Sequence, residues 1–252
     1  MRTPVSIGIT SLTPLETVRA LAPRVERLGF HALWINDLPG GDSLDGLRAA
    51  ASVTERIGLA TGVIPLDRRP AGTLVLGGIP ADRLVLGVGS GRAERPLALV
   101  EQGIAALRDA TEAAIVVGAL GPRMRRLAAE RGDGALFNWL TPDAAATTTA
   151  ELHDAGGARS VRGILYTRTT VDDAARPALE REAAAYEGFP AYAANFARLG
   201  FRAIDATIGD PDALAAYEGA PDELVLRAIT PSNALDELER FVETTAAWVR
   251  SA

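Results

Sequence analysis

Between Ala113 and Gly134 an apolar run, Ala113 to Val117, passes through Gly118-Ala119-Leu120-Gly121-Pro122-Arg123 into a helical stretch that ends near Arg131. A strand that turns through glycines into a helix leaves backbone N–H groups unpaired at the positive end of the helix dipole, which suits a phosphate or carboxylate. Pro122 fits the first helical position, because its missing N–H costs nothing there and its φ is already helical. Gly118 and Gly121 let the backbone approach a ligand closely, and Arg123 adds a charge. The stretch reads as an anion cradle, with an ordinary strand-to-helix turn as the plain alternative.

The residue inventory narrows the chemistry further. The chain has no cysteine and no lysine, so all 26 basic residues are arginine. Thiolate nucleophiles, disulfides, zinc–thiolate sites and lysine Schiff bases are excluded. Only two histidines exist, His31 just ahead of a strand and His153 near a helix end. In a barrel both fall away from the catalytic face, so both are expected to be surface or packing groups, and no metal site is expected. An enzyme built from this inventory takes its redox chemistry from a cofactor.

The elements that must position these residues alternate regularly. Strands are predicted at Val5–Ile9, Ala32–Asn36, Ile57–Ile64, Leu84–Val88, Ala113–Val117, Ala135–Trp139, Val161–Thr167 and Leu224–Ile229. Helices are predicted from Pro14, capped by Thr13, to Leu28, bent or divided at Pro23, from a Ser43 cap through Arg56, from Pro96 to Asp109, through the cradle, from Thr141-Pro142, and from Thr230-Pro231 to the end. Pro70–Ile79 is a glycine-interrupted linker, and Asp172–Glu218 is a longer, mostly helical excursion. Continuous rather than alternating hydrophobicity marks a parallel sheet buried on both faces. An eight-stranded α/β barrel spanning residues 1–252 as a single domain is the economical closure, and an open doubly wound sheet is its rival.

A length of 252 residues suits such a barrel. The net charge of −6 argues against nucleic acid, and no apolar run approaches the length of a membrane helix. No export signal is visible, so the chain is expected in the cytoplasm.

In a barrel, the loops after the strands form one mouth. They carry Asn36 and Asp37, Asp67-Arg68-Arg69, Ser90-Gly91-Arg92 with Glu94 and Arg95, the cradle with Arg123, Asn138 and Trp139, Tyr166 and Arg168, and Arg227 or Thr230. So many arginines around one opening point to an anionic small-molecule ligand, with a solvated loop rim as the alternative.

Four blocks, in this order, resemble the bacterial luciferase-like monooxygenase family: Leu33-Trp34-Ile35-Asn36-Asp37, Ala51 to Val63, Arg83 to Gly91, and Ala119 to Met124 followed by Gly132-Asp133-Gly134. Tyr192-Ala193-Ala194-Asn195-Phe196 and Leu224 to Thr230 extend the resemblance to the branch that uses the deazaflavin coenzyme F420. The resemblance implies a barrel, commonly a homodimer, whose mouth holds F420, or FMN as the alternative, with hydride passing between the ring and a small organic substrate. It implies that Gly118, Ala119, Leu120, Gly121, Pro122 and Arg123 hold the phosphate, that Asp37 lies by the ring, and that Ser90, Gly91 and Arg92 lie near the ring or ribityl chain. Asn138 would stand on the far wall, and a non-proline cis peptide at Gly62–Val63 would face the ring. Leu38 stands where the family's deazaflavin dehydrogenases carry a catalytic histidine, which leaves Asp37, Tyr166, Glu94 or solvent to move the proton. A binding protein without turnover is the remaining alternative.

Overall fold

The computed structural model describes residues 1–252. Its strands are β1 (Val5–Thr10), β2 (Ala32–Asn36), β3 (Gly58–Thr61), β4 (Ile64–Pro65), β5 (Leu84–Gly89), β6 (Ala114–Gly118), β7 (Gly134–Asn138), β8 (Arg162–Thr169), β9 (Thr207–Ile208) and β10 (Glu223–Ala228). Its helices are α1 (Leu15–Arg27), α2 (Ser43–Ala51), α3 (Pro96–Ala110), α4 (Pro122–Arg131), α5 (Pro142–Gly156), α6 (Arg176–Glu187), α7 (Pro190–Leu199), α8 (Pro211–Ala215) and α9 (Leu235–Ser251). All pairings are parallel, and β10 joins both β1 and β8, so β1, β2, β3, β5, β6, β7, β8 and β10 close an eight-stranded barrel. Closure rules out the open doubly wound sheet.

Side chains alternate across each barrel strand, and the barrel therefore has two apolar layers. Ile7, Ile9, Leu33, Ile35, Leu59, Leu86, Val117 and Leu226 face outward onto the helices in one large cluster. Ala32, Trp34, Ala60, Val116, Leu136, Ile164, Tyr166 and Val225 form a separate cluster inside the barrel. Each fully buried aliphatic side chain contributes about 1.5–3 kcal/mol, which is why short strands of ordinary propensity hold their places.

Two predicted boundaries move and one predicted break does not divide its helix, each for a local reason. The helix expected through Arg56 stops at Ala51: the Ser52 and Thr54 hydroxyls donate to the Ala49 and Ala50 carbonyls. Glu26 then accepts the N–H groups of Glu55, Arg56 and Ile57, holding that segment extended, and these bonds hold its carboxyl below the usual range against the opposing effect of burial. Pro23 does not divide α1, because Leu21, Ala22 and Val25 stay buried around it and the lost bond falls on the exposed Arg19. The last helix begins at Leu235 rather than at Thr230-Pro231, since Asn233 adopts a left-handed conformation (φ 62°) fixed by its N–H to the Thr230 hydroxyl.

Candidate functional site

The predicted third strand is interrupted where the chain crosses the mouth. Gly62–Val63 is a cis peptide between β3 and β4, as the resemblance implied. Gly62 N–H bonds to the Ile35 carbonyl at 2.9 Å, and its own carbonyl accepts the Asn36 amide at 2.6 Å. Three glycines then make room for Val63. A Cβ at Gly87 or Gly118 would lie 3.3 Å from its methyl carbons, and one at Gly89 would lie 2.8 Å away. A side chain at Gly89 would displace the valine, one at Gly87 would strike the Thr61 carbonyl oxygen, and one at Gly118 would crowd the valine, so β5 and β6 carry glycine where they pass the bulge. Tyr166 and Trp34 support Gly62 from below; a Cβ there would meet them at 3.0 and 3.3 Å.

Beside this floor, β6 delivers the chain into α4. Gly121 is the N-cap residue in extended conformation, Pro122 is the first helical residue, and no side chain caps the helix. The first backbone bond of α4 runs from Arg125 N–H to the Gly121 carbonyl at 3.1 Å, so the N–H groups of Arg123 and Met124 have no acceptor in the protein. A Cβ built on Gly121 meets nothing within 4 Å, so the helix end opens onto free space. Gly118 is half-buried, Ala119 is buried with its N–H on the Leu136 carbonyl, and Leu120 is half-buried; Pro122 and Arg123 are exposed.

The loop after β5 forms the adjoining edge. Gly91 takes φ +57° directly over the Asp67 carboxylate, which accepts the Arg92 N–H at 2.9 Å; a side chain there would be strained and would strike Asp67. Ser90 is half-buried, while Arg92, Glu94 and Arg95 are exposed. Arg92, Arg95 and Arg123 form no ion pair with any carboxylate. The other arginines of the predicted rim are engaged. Arg68 and Arg69 belong to Asp37, and Arg168 and Arg227 belong to Glu182.

The three proton-transfer candidates therefore occupy different environments. The Asp37 side chain is 1% exposed; it accepts the Ser43 N–H at 3.2 Å and hydroxyl at 2.7 Å, pairs with Arg69, and lies 3.6 Å from Arg68. With its lone pairs so occupied, Asp37 anchors the start of α2 to the β3–β5 connection. Asp37→Asn removes the charge that two arginines face, and lowers unfolding free energy by about 2 kcal/mol, measured by urea melts at neutral pH. Tyr166 lies within the barrel interior, its hydroxyl unpartnered and beside Gly8, and burial pushes its pKa well above the ordinary value despite Arg227 and Arg168. Glu94 alone is exposed and unpaired.

The opposite quadrant of the mouth is packed shut. Arg168, at the upper end of β8, donates to Asn138 Oδ1 and, at 2.8 Å, to Glu182 Oε1. Its guanidinium lies 4.2 Å from the Trp139 ring centroid and 4.7 Å from that of Tyr186. Burial opposes the Arg168 charge, but Tyr186 and Glu182 outweigh it and raise its pKa. The Asn138 amide donates to Tyr192 Oη at 3.0 Å, and Tyr192, buried near Tyr186, has its pKa pushed up to about 12. Thus α6 and α7, from the predicted excursion, roof β7, β8 and β10. Nothing in the spacing marked Glu182 or Tyr186 for this work. His31 and His153 lie at the other end, beside Glu223 and Asp222, as surface groups.

The family model described as luciferase-like monooxygenase matches residues 2–113 and 98–247. The chain belongs to the luciferase-like monooxygenase family. It is accordingly an oxidoreductase-type enzyme. No curated protein sequence matches it. Among solved structures, an F420-dependent secondary alcohol dehydrogenase in complex with an F420–acetone adduct is similar at 15% identity and TM-score 0.73, covering 96% of this chain and 98% of that one. A monooxygenase from Streptomyces bottropensis is similar at 20% identity and TM-score 0.69, with 98% of each chain covered. A type II Baeyer–Villiger monooxygenase of Pseudomonas putida in complex with FMN is similar at 15% identity and TM-score 0.66, over 96% of this chain and 98% of that one. At these identities the likeness concerns the family's barrel. None of this chain's helices is long and apolar enough to cross a membrane.

Proposed function

We propose that this family member binds coenzyme F420 at its mouth and moves a hydride to or from a small organic substrate. The observation that carries the reading is the uncapped N-terminus of α4, with Gly121 facing free space. A phosphorylated flavin-like group fits there. The Arg123 and Met124 N–H groups would donate to the phosphate oxygens, with Gly118 to Leu120 and Arg123 as the walls. The cis Gly62–Val63 unit, set in its notch of glycines, is the surface on which a planar ring would rest, between Ser90 and Gly91 on one side and Asn138 on the other. When bound, the coenzyme supplies the carbon that carries the hydride.

The protein's contribution is binding, orientation and shielding. Asp37 positions the β2–α2 loop through Ser43 and Arg69 rather than exchanging a proton, because its oxygens are already engaged. Tyr166 supports the floor as a neutral phenol. Proton exchange falls to Glu94 or to water. The unpaired Arg92, Arg95 and Arg123 favour F420 over FMN, since only the former carries a polyanionic tail beyond its phosphate.

Equilibrium titration of the purified protein with F420 and with FMN, followed by tryptophan quenching, tests this choice. Binding of F420 at least tenfold tighter than FMN is expected. Tight FMN binding without F420 binding rejects it, and F420 binding with neither oxidation of the reduced coenzyme by a panel of enones and ketones nor reduction of the oxidised coenzyme by a panel of alcohols leaves a binder without turnover.

A further inference from the structure

The closed base of the barrel holds a buried carboxylate that no step at the mouth uses. Glu223 opens β10 and is 2% exposed. Its two oxygens divide their partners between the interior and the base. Oε1 accepts the Trp34 indole N–H at 2.7 Å and the Ser6 hydroxyl at 2.6 Å. Oε2 lies 3.6 Å from Arg162 Nη1 and 3.8 Å from His31 Nε2, both on side chains partly exposed at the base. A charge is tolerated out of water when such donors surround it, and they hold the carboxylate in one place.

What this carboxylate carries is Trp34. The indole is fully buried in the interior cluster, whose other members are apolar except for the Tyr166 hydroxyl, itself without a partner. Apolar contact is non-directional, so it fills space without fixing how a ring is turned; a hydrogen bond from the one indole donor to a charged acceptor does fix it. Another edge of the same ring meets the floor, because Trp34 Cε3 would lie 3.3 Å from a Cβ on Gly62. Trp34 also stands edge-on to Tyr166, the second support of Gly62, with ring centroids 6.4 Å apart at 73°. Such anchoring is not general in this chain: the Trp139 Nε1 is buried without a partner.

From this chain of contacts we propose that Glu223 is a positioning residue for the coenzyme site, setting the placement of the Gly62–Val63 floor through the Trp34 indole from the opposite end of the barrel. Ser6 on β1 braces the carboxylate, and Arg162 on β8 balances its charge. The consequence for coenzyme binding rests on the function proposed above; the consequence for the floor does not.

Hydrogen exchange of the coenzyme-free protein, followed by mass spectrometry, and F420 titration of the same preparations test it on Glu223→Met, Glu223→Gln and Trp34→Phe. Met has no oxygen for the indole, Gln keeps one, and Phe keeps a ring without the donor. In Glu223→Met, exchange across residues 58–66 should quicken about fivefold more than across α5, and the F420 Kd should rise about tenfold. Glu223→Gln should restore both to near the wild-type values. Trp34→Phe should loosen residues 58–66 as Glu223→Met does, and it carries the test if the Met variant does not fold. Exchange that rises evenly over the chain, or only in β10 and β1, overturns the proposal, as does a Glu223→Gln protein as loose as Glu223→Met. Unchanged F420 affinity in a Glu223→Met protein whose floor has loosened also contradicts it. A wild type that binds no F420 defeats the proposed function instead, while exchange across residues 58–66 still decides whether Glu223 holds the floor.

Discussion

Gly121→Asp should make the protein more stable and its coenzyme affinity about 100-fold weaker. Gly121 already has the extended backbone that an N-cap aspartate adopts, φ −98° and ψ 165°, and nothing lies within 4 Å of its Cβ direction. The new carboxylate would accept the vacant amides at the start of α4 and face the positive end of its dipole, gaining about 0.5–1 kcal/mol. It would also fill the place of the phosphate and repel it. Loss of two hydrogen bonds to a charged acceptor, about 1.5 kcal/mol each at the lower bound, corresponds to about two orders of magnitude in Kd. Thermal melts and F420 titration of the same preparation read the two effects. If both stability and affinity fall, the helix end is merely sensitive to substitution; if affinity is unchanged, the phosphate binds elsewhere.

The second large effect concerns Glu182, the one carboxylate shared by Arg168 and Arg227. Its Oε1 lies 2.8 Å from Arg168 Nε and its Oε2 lies 3.7 Å from Arg227 Nη2, while those two arginine side chains are 1% and 8% exposed. Glu182→Gln leaves two buried guanidiniums without an anion, and breaking such a pair costs about 3–5 kcal/mol. Arg227 Nε is already unpartnered, so the network has no reserve acceptor. The same pair sets an acid limit. Burial alone would raise the Glu182 pKa, but the charges of Arg168 and Arg227 and the Arg168 hydrogen bond overcome it and hold it below the ordinary glutamate value. A carboxyl whose pKa is lower in the folded state stabilises above its unfolded value, and that contribution disappears as pH falls through the folded value. Wild-type stability should therefore drop below about pH 4.5 with a component that Glu182→Gln lacks, which chemical denaturation across pH 3–7 measures. Parallel pH profiles for the two proteins would contradict this account of the roof.

The sequence makes the barrel legible because its two strongest local signals agree. Continuous apolar strands such as Ala114–Val117 and prolines at the first turn of α3, α4 and α5 mark where each strand hands over to its helix. The candidate floor and cradle are legible for a related reason: glycines at 62, 87, 89, 118 and 121 stand where a side chain would block a close approach or an opening. What is not legible depends on distant partners. No periodicity ties Glu26 to the amides of residues 55–57, and nothing at Arg168 foretells that Glu182, on a separate helix, will neutralise it. For the same reason the arginine rim reads as one feature in sequence but divides in space into arginines already paired and arginines still free. Asp37 illustrates the point best. By type and position it suits proton transfer, yet Ser43 and Arg69 occupy its oxygens.

The central claim is that the amides at the start of α4 hold the phosphate of a flavin-like coenzyme. A crystal structure of the protein with oxidised F420 tests it most directly. The account predicts phosphate oxygens within hydrogen-bond distance of the Arg123 and Met124 N–H groups and the deazaflavin ring against Gly62–Val63. A coenzyme phosphate bound at any other edge of the barrel, with the first turn of α4 left to solvent, would contradict it.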